Sequence, residues 1–175
     1  MSSPELTPTG TPTVRAGRPW QAWLAVAVAV IVLDQWSKAA VVGTLAEGGL
    51  LRLTSWFDLV LAYNRGAAFS VLNQDGPLPR VLFSVIAVVA SVALIGLIRS
   101  QHKRGQWATQ LGASLILGGA LGNLVDRIRL GAVVDFVQWH LGSAYWPAFN
   151  VADSAISVGA AVLVLFGLLA SGASR

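Results

Sequence analysis

The chain has 175 residues, of which 55% are hydrophobic and only 11% are charged, with a mean hydropathy of +0.66. This composition exceeds what a water-soluble surface tolerates and predicts a membrane protein. The net charge is +4, but the twelve basic residues are scattered between apolar runs, which argues against nucleic-acid binding. The absence of cysteine excludes disulfides, thiolate metal sites and a cysteine nucleophile.

The chain begins with a polar stretch and an apolar one. Residues 1–19 contain four prolines among serines and threonines, which predicts a disordered cytoplasmic tail. Residues 20–42 are long and apolar enough for a bilayer-crossing helix. Arg15 and Arg18 precede it, as in a cleavable signal peptide, but the run is long for one and three further runs follow. We interpret this helix as a retained anchor.

Three further apolar runs predict spans at about 79–98, 107–127 and 150–171, so that residues 20–171 form a single membrane-embedded domain. Arg99, Lys103 and Arg104 at the second connection are expected in the cytoplasm, as are the tail and the C-terminal end at 172–175. This orientation puts the other two connections outside. Three basic residues there weaken the charge bias: Arg52, Arg65 and Arg80.

The two outer segments, 43–78 and 128–149, are expected to be structured. Residues 51–63 and 67–72 are aromatic and β-branched and lie between turn signals, which predicts strands of a small extracytoplasmic sheet. The predicted fold class is therefore a mainly α membrane protein with four transmembrane helices and a small extracytoplasmic β-sheet. Glycines of the third span are expected to serve close helix packing alone: Gly112, Gly118, Gly119 and Gly122.

Polar residues inside apolar runs are candidates for function, because a charge at the bilayer centre costs about 2.5–3.5 kcal/mol on insertion scales. The predicted topology brings these residues to one interface, at the outer ends of the spans. They are Asp34, Lys38, Asn123, Asp126, Arg127, Asn150 and Asp153, with Asp135 between the last two spans.

Asp135 and Asp153 suit peptide hydrolysis without a metal. Two close carboxylates share one proton, so that one acts as a base toward water while the other donates to the leaving amine. Valine and phenylalanine flank Asp135 and favour its protonated form. No metal or other cofactor is expected, because His102 and His140 lie in different predicted connections and no H-E-x-x-H motif is present.

Structural explanations remain open at each position. The spacing of Asn150 and Asp153 is also that of an N-cap and an acid in the first helical turn. Asp34 and Lys38 have the i,i+4 spacing of a local ion pair on one helix. Arg127 is also compatible with a side chain that snorkels to the membrane surface, with Asp126 as its partner. Asn64 precedes Arg65-Gly66 and is also compatible with a role in a turn.

Other functions also remain open. A Ser/Lys dyad that uses Lys38 is one. Its neighbour Ser37 projects from a different helix face, so the serine would come from Ser70 or elsewhere. A proton-coupled transporter would distribute its ionisable residues through the depth of the membrane, whereas here they lie at one interface. A scaffold for other membrane proteins would give the acidic residues no reason to converge.

Five segments resemble successive signature blocks of the lipoprotein signal peptidase (signal peptidase II) family of bacterial membrane aspartyl peptidases. They are residues 34–38, 64–70, 118–127, 133–136 and 149–153, in family order, and the resemblance covers about 20–169. It implies four transmembrane helices, an extracytoplasmic β-cradle and a catalytic dyad at Asp135 and Asp153. The implied activity removes the signal peptide from diacylglyceryl-modified prolipoproteins by cleavage just before the lipidated cysteine.

The resemblance also implies residues that support the dyad or contact the substrate: Asp34, Lys38, Asn64, Gly66, Asn123, Asp126, Arg127 and Asn150. The segment 64–72 is expected to form part of a lid or cradle. We further expect a monomer in the bacterial cytoplasmic (inner) membrane, with both termini cytoplasmic and the site at the extracytoplasmic face. Globomycin-type cyclic peptides are the expected inhibitors, and membrane lipids surround the chain.

Overall fold

The computed structural model describes residues 19–66, 78–102 and 106–172. Its elements in chain order are α1 (Gln21–Val42), β1 (Leu50–Arg52), β2 (Phe57–Asn64), α2 (Leu78–His102), α3 (Trp107–Leu130), β3 (Val133–Leu141), β4 (Ala144–Tyr145) and α4 (Val151–Gly172). The predicted fold class, mainly α with a small sheet, is confirmed. The predicted strand at 67–72 lies outside the described residues.

The four helices form a bundle around α3, which packs against α1, α2 and α4. In the most apolar part of α3, 61% of the residues are buried, compared with 28% in α1 and 17% in α2. These three helices are long and apolar enough to cross a membrane, and α4 contributes a shorter apolar stretch, Val151–Gly167. The central helix is therefore surrounded by protein, while its neighbours keep exposed apolar faces.

Glycines let the neighbouring helices approach α3 closely. A Cβ on Gly118 would lie 2.7 Å from the carbonyl oxygen of Ala27 in α1, and a Cβ on Gly112 would lie 2.8 Å from that of Gly159 in α4. Because no side chain intervenes, the backbones pack directly, as the glycine pattern predicts. At its other end α3 stops at Gly131, whose φ of 76° is the left-handed conformation common at helix C-termini.

The sheet is antiparallel with strand order β1-β2-β3-β4. The sequence prediction placed strands only in the first outer segment, whereas β3 and β4 come from the second. The sequence of β3, Val133–Leu141, is rich in β-branched and aromatic residues. This composition favours a strand and would have supported predicting one here. In the β2–β3 pairing Asn64 faces Val133, and a register shift between Leu59 and Ala62 bends the ladder.

A second apolar core fastens the sheet to the bundle. Val41 at the end of α1 packs with Leu61 of β2 and with Val134 and Phe136 of β3, and all four are buried. Only two residues separate α3 from β3. The beginning of β3, including Asp135, is therefore fixed between the sheet and the helices.

Gly119→Ala is expected to lower the free energy of unfolding by about 1–3 kcal/mol, the usual cost of overpacking. Its Cβ would collide with the carbonyl oxygen of Ala152 and lie 2.7 Å from Cγ1 of Ile156, so α4 would have to move. Thermal unfolding in detergent micelles measures the effect. The matched control is Gly96→Ala in α2, where a Cβ meets no described atom within 4 Å. Equal melting temperatures for the two variants would contradict the expected role of Gly119.

Candidate active site

Asp135 and Asp153 come from different elements and meet around one asparagine. Asp135 in β3 is buried, and its Oδ1 accepts a hydrogen bond of 2.8 Å from Nδ2 of Asn150. Asp153, in the first turn of α4, accepts a hydrogen bond of 3.3 Å from the backbone N–H of Asn150 at Oδ2. A single residue thus contacts both carboxylates. Asn123 of α3 donates to the remaining oxygen of Asp153 at 2.8 Å.

Asn150 also caps α4. Its Oδ1 accepts the backbone N–H of Asp153 at 2.9 Å, while Asp153 accepts the N–H of Asn150 in return. This reciprocal pair has the geometry of a capping box. The capping explanation and the active-site explanation therefore involve the same groups and do not exclude each other. Capping fixes the orientation of Asp153 at the helix N-terminus, where the helix dipole stabilises negative charge.

Asn64 supports Asp135 from the end of β2. Its Nδ2 donates to Oδ2 of Asp135 at 2.9 Å, and its Oδ1 accepts the N–H of Gly66 at 2.8 Å. The second bond closes the predicted turn, which orients the amide for the first bond. Gly66 has a φ of 106°, and a Cβ there would lie 2.9 Å from the ring of Phe83. Glycine is therefore required at this turn on both conformational and steric grounds.

Lys38 forms the centre of a buried charged cluster behind the two aspartates. Its Nζ lies 2.8 Å from Oδ2 of Asp34 and 2.7 Å from Oδ2 of Asp126, and it donates to Oδ1 of Asn123 at 3.1 Å. The predicted pair of Asp34 with Lys38 is present. The suggested pairing of Asp126 with Arg127 is wrong, because the carboxylate of Asp126 points into the bundle toward Lys38.

Gln35 belongs to the same cluster, although the sequence prediction did not assign it a role. Its Nε2 lies 2.9 Å from Oδ1 of Asp126 and 3.2 Å from both Oδ2 of Asp34 and the carbonyl oxygen of Gly122. A polar residue inside an apolar run was the available signal. Gly122 contributes more than the packing predicted for it, because a Cβ there would lie 2.8 Å from the carboxylate of Asp34.

Arg127 lies at the edge of the cluster, one turn before the end of α3. Its guanidinium lies over the ring of Phe83 at 5.3 Å and its Nη1 is 3.4 Å from the carbonyl oxygen of Asn123. The contact with Phe83 connects α3 with α2, and the contact with Asn123 stays within α3.

The described residues do not favour the other catalytic arrangements. Lys38 directs its ammonium group at three oxygen acceptors, which leaves it poorly suited to act as a base. Ser37 donates its hydroxyl to the backbone of its own helix at 2.9 Å, and Ser70 lies outside the described residues. Within the described ranges, no three histidine, aspartate or glutamate side chains form a group that could hold a metal ion. Nε2 of His140 lies 3.3 Å from Asp58 instead.

Burial raises the pKa of Asp135 from 3.8 to about 6. The hydrogen bond from Asn64 opposes this shift, the negative charge of Asp153 adds to it, and Asn150 and Lys38 oppose it more weakly. The carboxyl group of Asp135 is therefore suited to carry a proton under mildly acidic conditions.

Comparison with known proteins identifies the family. The family model described as signal peptidase (SPase) II matches residues 26–169. The chain belongs to the signal peptidase II family. It is 48% identical over 143 residues to the lipoprotein signal peptidase of Paraburkholderia phytofirmans, with 82% of each chain covered. It is 46% identical over 149 residues to that of Paraburkholderia phymatum, covering 85% of this chain and 89% of the relative.

Solved structures agree with this family. A bacterial membrane enzyme determined by the in meso method at 1.9 Å resolution superposes with a TM-score of 0.73 and 27% identity, covering 85% of this chain and 93% of the other. A second bacterial membrane enzyme, determined by the in meso method at 2.3 Å resolution, superposes with a TM-score of 0.76 and 26% identity. The match covers 89% of this chain and 92% of the other. The chain is therefore a bacterial membrane peptidase, and the family resemblance in its motifs is confirmed.

Asp153→Asn is expected to lower the pKa of Asp135 below the value of about 6, because the substitution removes a negative charge that disfavours ionisation of Asp135. Infrared difference spectra of the carboxylic-acid band across a pH titration in detergent measure this shift. Asp58→Asn is the control, since Asp58 pairs with Gln138 farther along β3 and should leave the titration unchanged. An unchanged or raised pKa in Asp153→Asn would contradict the coupling.

Proposed function

We propose that this chain is an aspartyl endopeptidase that removes the signal peptide from diacylglyceryl-modified prolipoproteins, cutting just before the lipidated cysteine. The observation that carries the proposal is the contact of Asn150 with both Asp135 and Asp153. This contact brings two carboxylates from separate elements into one site. The names of the relatives, lipoprotein signal peptidases, support the substrate class.

In the proposed reaction Asp153 acts as the base and Asp135 as the acid. Asp153 takes a proton from a water molecule, whose oxygen attacks the carbonyl carbon of the scissile bond. The bond between carbon and nitrogen then breaks, and the leaving amine receives the proton of Asp135. Transfer of a proton from Asp153 to Asp135 restores the starting state.

Two features support this assignment of roles. The raised pKa of Asp135 favours its protonated form. Asp153 lies in the first turn of α4, where the helix dipole stabilises a carboxylate, and it accepts hydrogen bonds from Asn123 and Asn150. The environment of Asp135 thus suits the role of the acid, which leaves Asp153 as the base of the pair.

The proposed orientation follows from the two ends of the bundle. Asp34, Lys38 and Asp126 lie at the end that carries the sheet, whereas Arg99 lies over the ring of Trp20, 5.0 Å from its centre, at the opposite end. The positive-inside rule places the Arg99 end, and with it both termini, in the cytoplasm. The site then lies at the outer face of the inner membrane, at the depth where a lipid-anchored cleavage point would be presented.

The remaining parts of the proposal follow the family. Residues 20–171 act as one membrane-embedded peptidase domain and function as a monomer. Globomycin-type inhibitors bind at the site that contains Asp135 and Asp153. The polar residues around these aspartates, including Asn64 and Arg127, position the carboxylates or contact the substrate.

Asp135→Asn and Asp153→Asn are each expected to reduce cleavage by about 10⁴-fold or more, as removal of a catalytic residue usually does. The assay uses purified protein in detergent with a diacylglyceryl-modified prolipoprotein, with and without a chelator. An amide has nearly the shape of the carboxyl group but does not serve as the acid or base. The folded fraction of each variant is measured by size-exclusion chromatography and circular dichroism.

Asp58→Asn serves as the matched control, because it makes the same change at another buried aspartate of the sheet and should keep wild-type activity. Loss of activity with chelator would indicate a metal enzyme. Severe loss in Ser70→Ala with an active Asp153→Asn would indicate the Ser/Lys mechanism. A folded wild-type protein that leaves a verified substrate uncut would return the transporter to consideration.

A further inference from the structure

The residue immediately before each proposed catalytic aspartate is held by a buried carboxylate. The backbone N–H of Val134, which precedes Asp135, donates to Oδ2 of Asp126 at 3.1 Å. The backbone N–H of Ala152, which precedes Asp153, donates to Oδ1 of Asp34 at 2.9 Å. The two halves of the site are thus attached to the bundle in equivalent ways.

Lys38 joins these two attachments. Its Nζ lies 2.8 Å from Asp34 and 2.7 Å from Asp126, so that a continuous chain of contacts runs from Ala152 through the two carboxylates to Val134. The chain connects α4, α1, α3 and β3. Every oxygen of the two carboxylates has a partner, because Gln35 donates to the remaining oxygen of Asp126.

We propose that Asp34, Lys38 and Asp126 form a positioning clamp that sets the distance and orientation between Asp135 and Asp153. This inference rests on the proposed peptidase function. The three clamp residues act through the backbone of Val134 and Ala152, so they position the catalytic pair without touching the substrate.

The cost of burying these charges supports a positioning role. The side chains of Asp34, Lys38 and Asp126 are at most 4% exposed. Buried ion pairs often contribute less to stability than apolar residues of similar volume, because desolvation offsets their attraction. Short charge-assisted bonds do fix geometry, since they are strong and directional. Geometry at the site therefore explains these residues better than stability does.

The clamp adds to the direct links between the two aspartates. Asp135 is on a strand and Asp153 on a helix, and Asn150 bonds both carboxylates. These direct links do not involve α1, which the clamp ties to both halves of the site through Asp34 and Lys38. A displacement of about 1 Å at reacting groups can reduce a rate about 100-fold. Buried contacts from a further helix therefore restrict the geometry that the direct links leave.

Asp126→Glu tests the clamp, because it keeps the charge but moves the carboxylate by one methylene group. We expect kcat for prolipoprotein cleavage to fall about 10- to 100-fold, with KM within about twofold of wild type. A purely structural role would lower the folded fraction or the melting temperature and leave kcat per folded molecule unchanged. Rates are therefore normalised to the folded protein recovered from size-exclusion chromatography.

Gln35→Met provides a milder second variant if Asp126→Glu does not fold. It removes the amide that bonds Asp126 and Asp34 while keeping a side chain of similar length. We expect a fall in kcat of about 3- to 10-fold with KM unchanged. Gln110→Met is the control, since Gln110 is a buried glutamine in α3 that lies more than four turns from Asp126, and this variant should keep wild-type kcat.

The outcomes separate the clamp from the proposed function. If Asp135→Asn abolishes cleavage while Asp126→Glu and Gln35→Met both retain kcat within twofold of wild type, the clamp is wrong and the peptidase proposal stands. A rise in KM at constant kcat would also overturn the clamp, because it would indicate substrate contact. If Asp135→Asn itself remains active, the catalytic pair is wrong and the clamp fails with it. Reduced kcat in the clamp variants with an inactive Asp135→Asn supports both.

Discussion

The compensation of two buried carboxylates by one ammonium group organises the polar interior of the bundle. Lys38 lies between Asp34 and Asp126 and uses Asn123 as its third acceptor. Without the lysine, two negative charges would remain in a low-dielectric interior, where an unpaired charge costs several kcal/mol. Helices α1 and α3 therefore meet at this level around a compensated cluster, and the two aspartates of the proposed site are attached to it.

Close packing of α3 makes that cluster possible. Gly118 and Gly119 bring the backbones of α1 and α4 against α3, and Gly122 leaves the space that the carboxylate of Asp34 occupies. The central position of α3 in the bundle and the position of the site thus have a common cause. The same helix supplies Asn123 and Asp126, so the element that organises the bundle also supplies two of the polar groups behind the proposed catalytic pair.

Local structure and chemistry use the same side chains at several points. Asn150 caps α4 and contacts both aspartates, and Asn64 closes a turn while it supports Asp135. A residue that is already fixed by a cap or a turn loses little further freedom when it orients a catalytic group. This dual use explains why the structural interpretation of these asparagines and the proposed functional one are compatible.

The sequence by itself determined the membrane class, the four helices and the family, because apolar runs and ordered motifs are local properties of the chain. It also singled out the polar residues that the structure brings together, because a charged residue inside an apolar run is costly in a membrane and can be recognised from the sequence alone. Its strand prediction missed β3, although Val133–Leu141 is rich in β-branched and aromatic residues; pairing with β2 is what fixes this segment as a strand. Only the tertiary structure decided that Asp126 pairs with Lys38 rather than Arg127. It also decided that Gln35 joins the buried cluster. The backbone contacts of Val134 and Ala152 were likewise visible only in the structure. These contacts join residues far apart in the chain, and such contacts depend on how the helices pack and not on any local pattern.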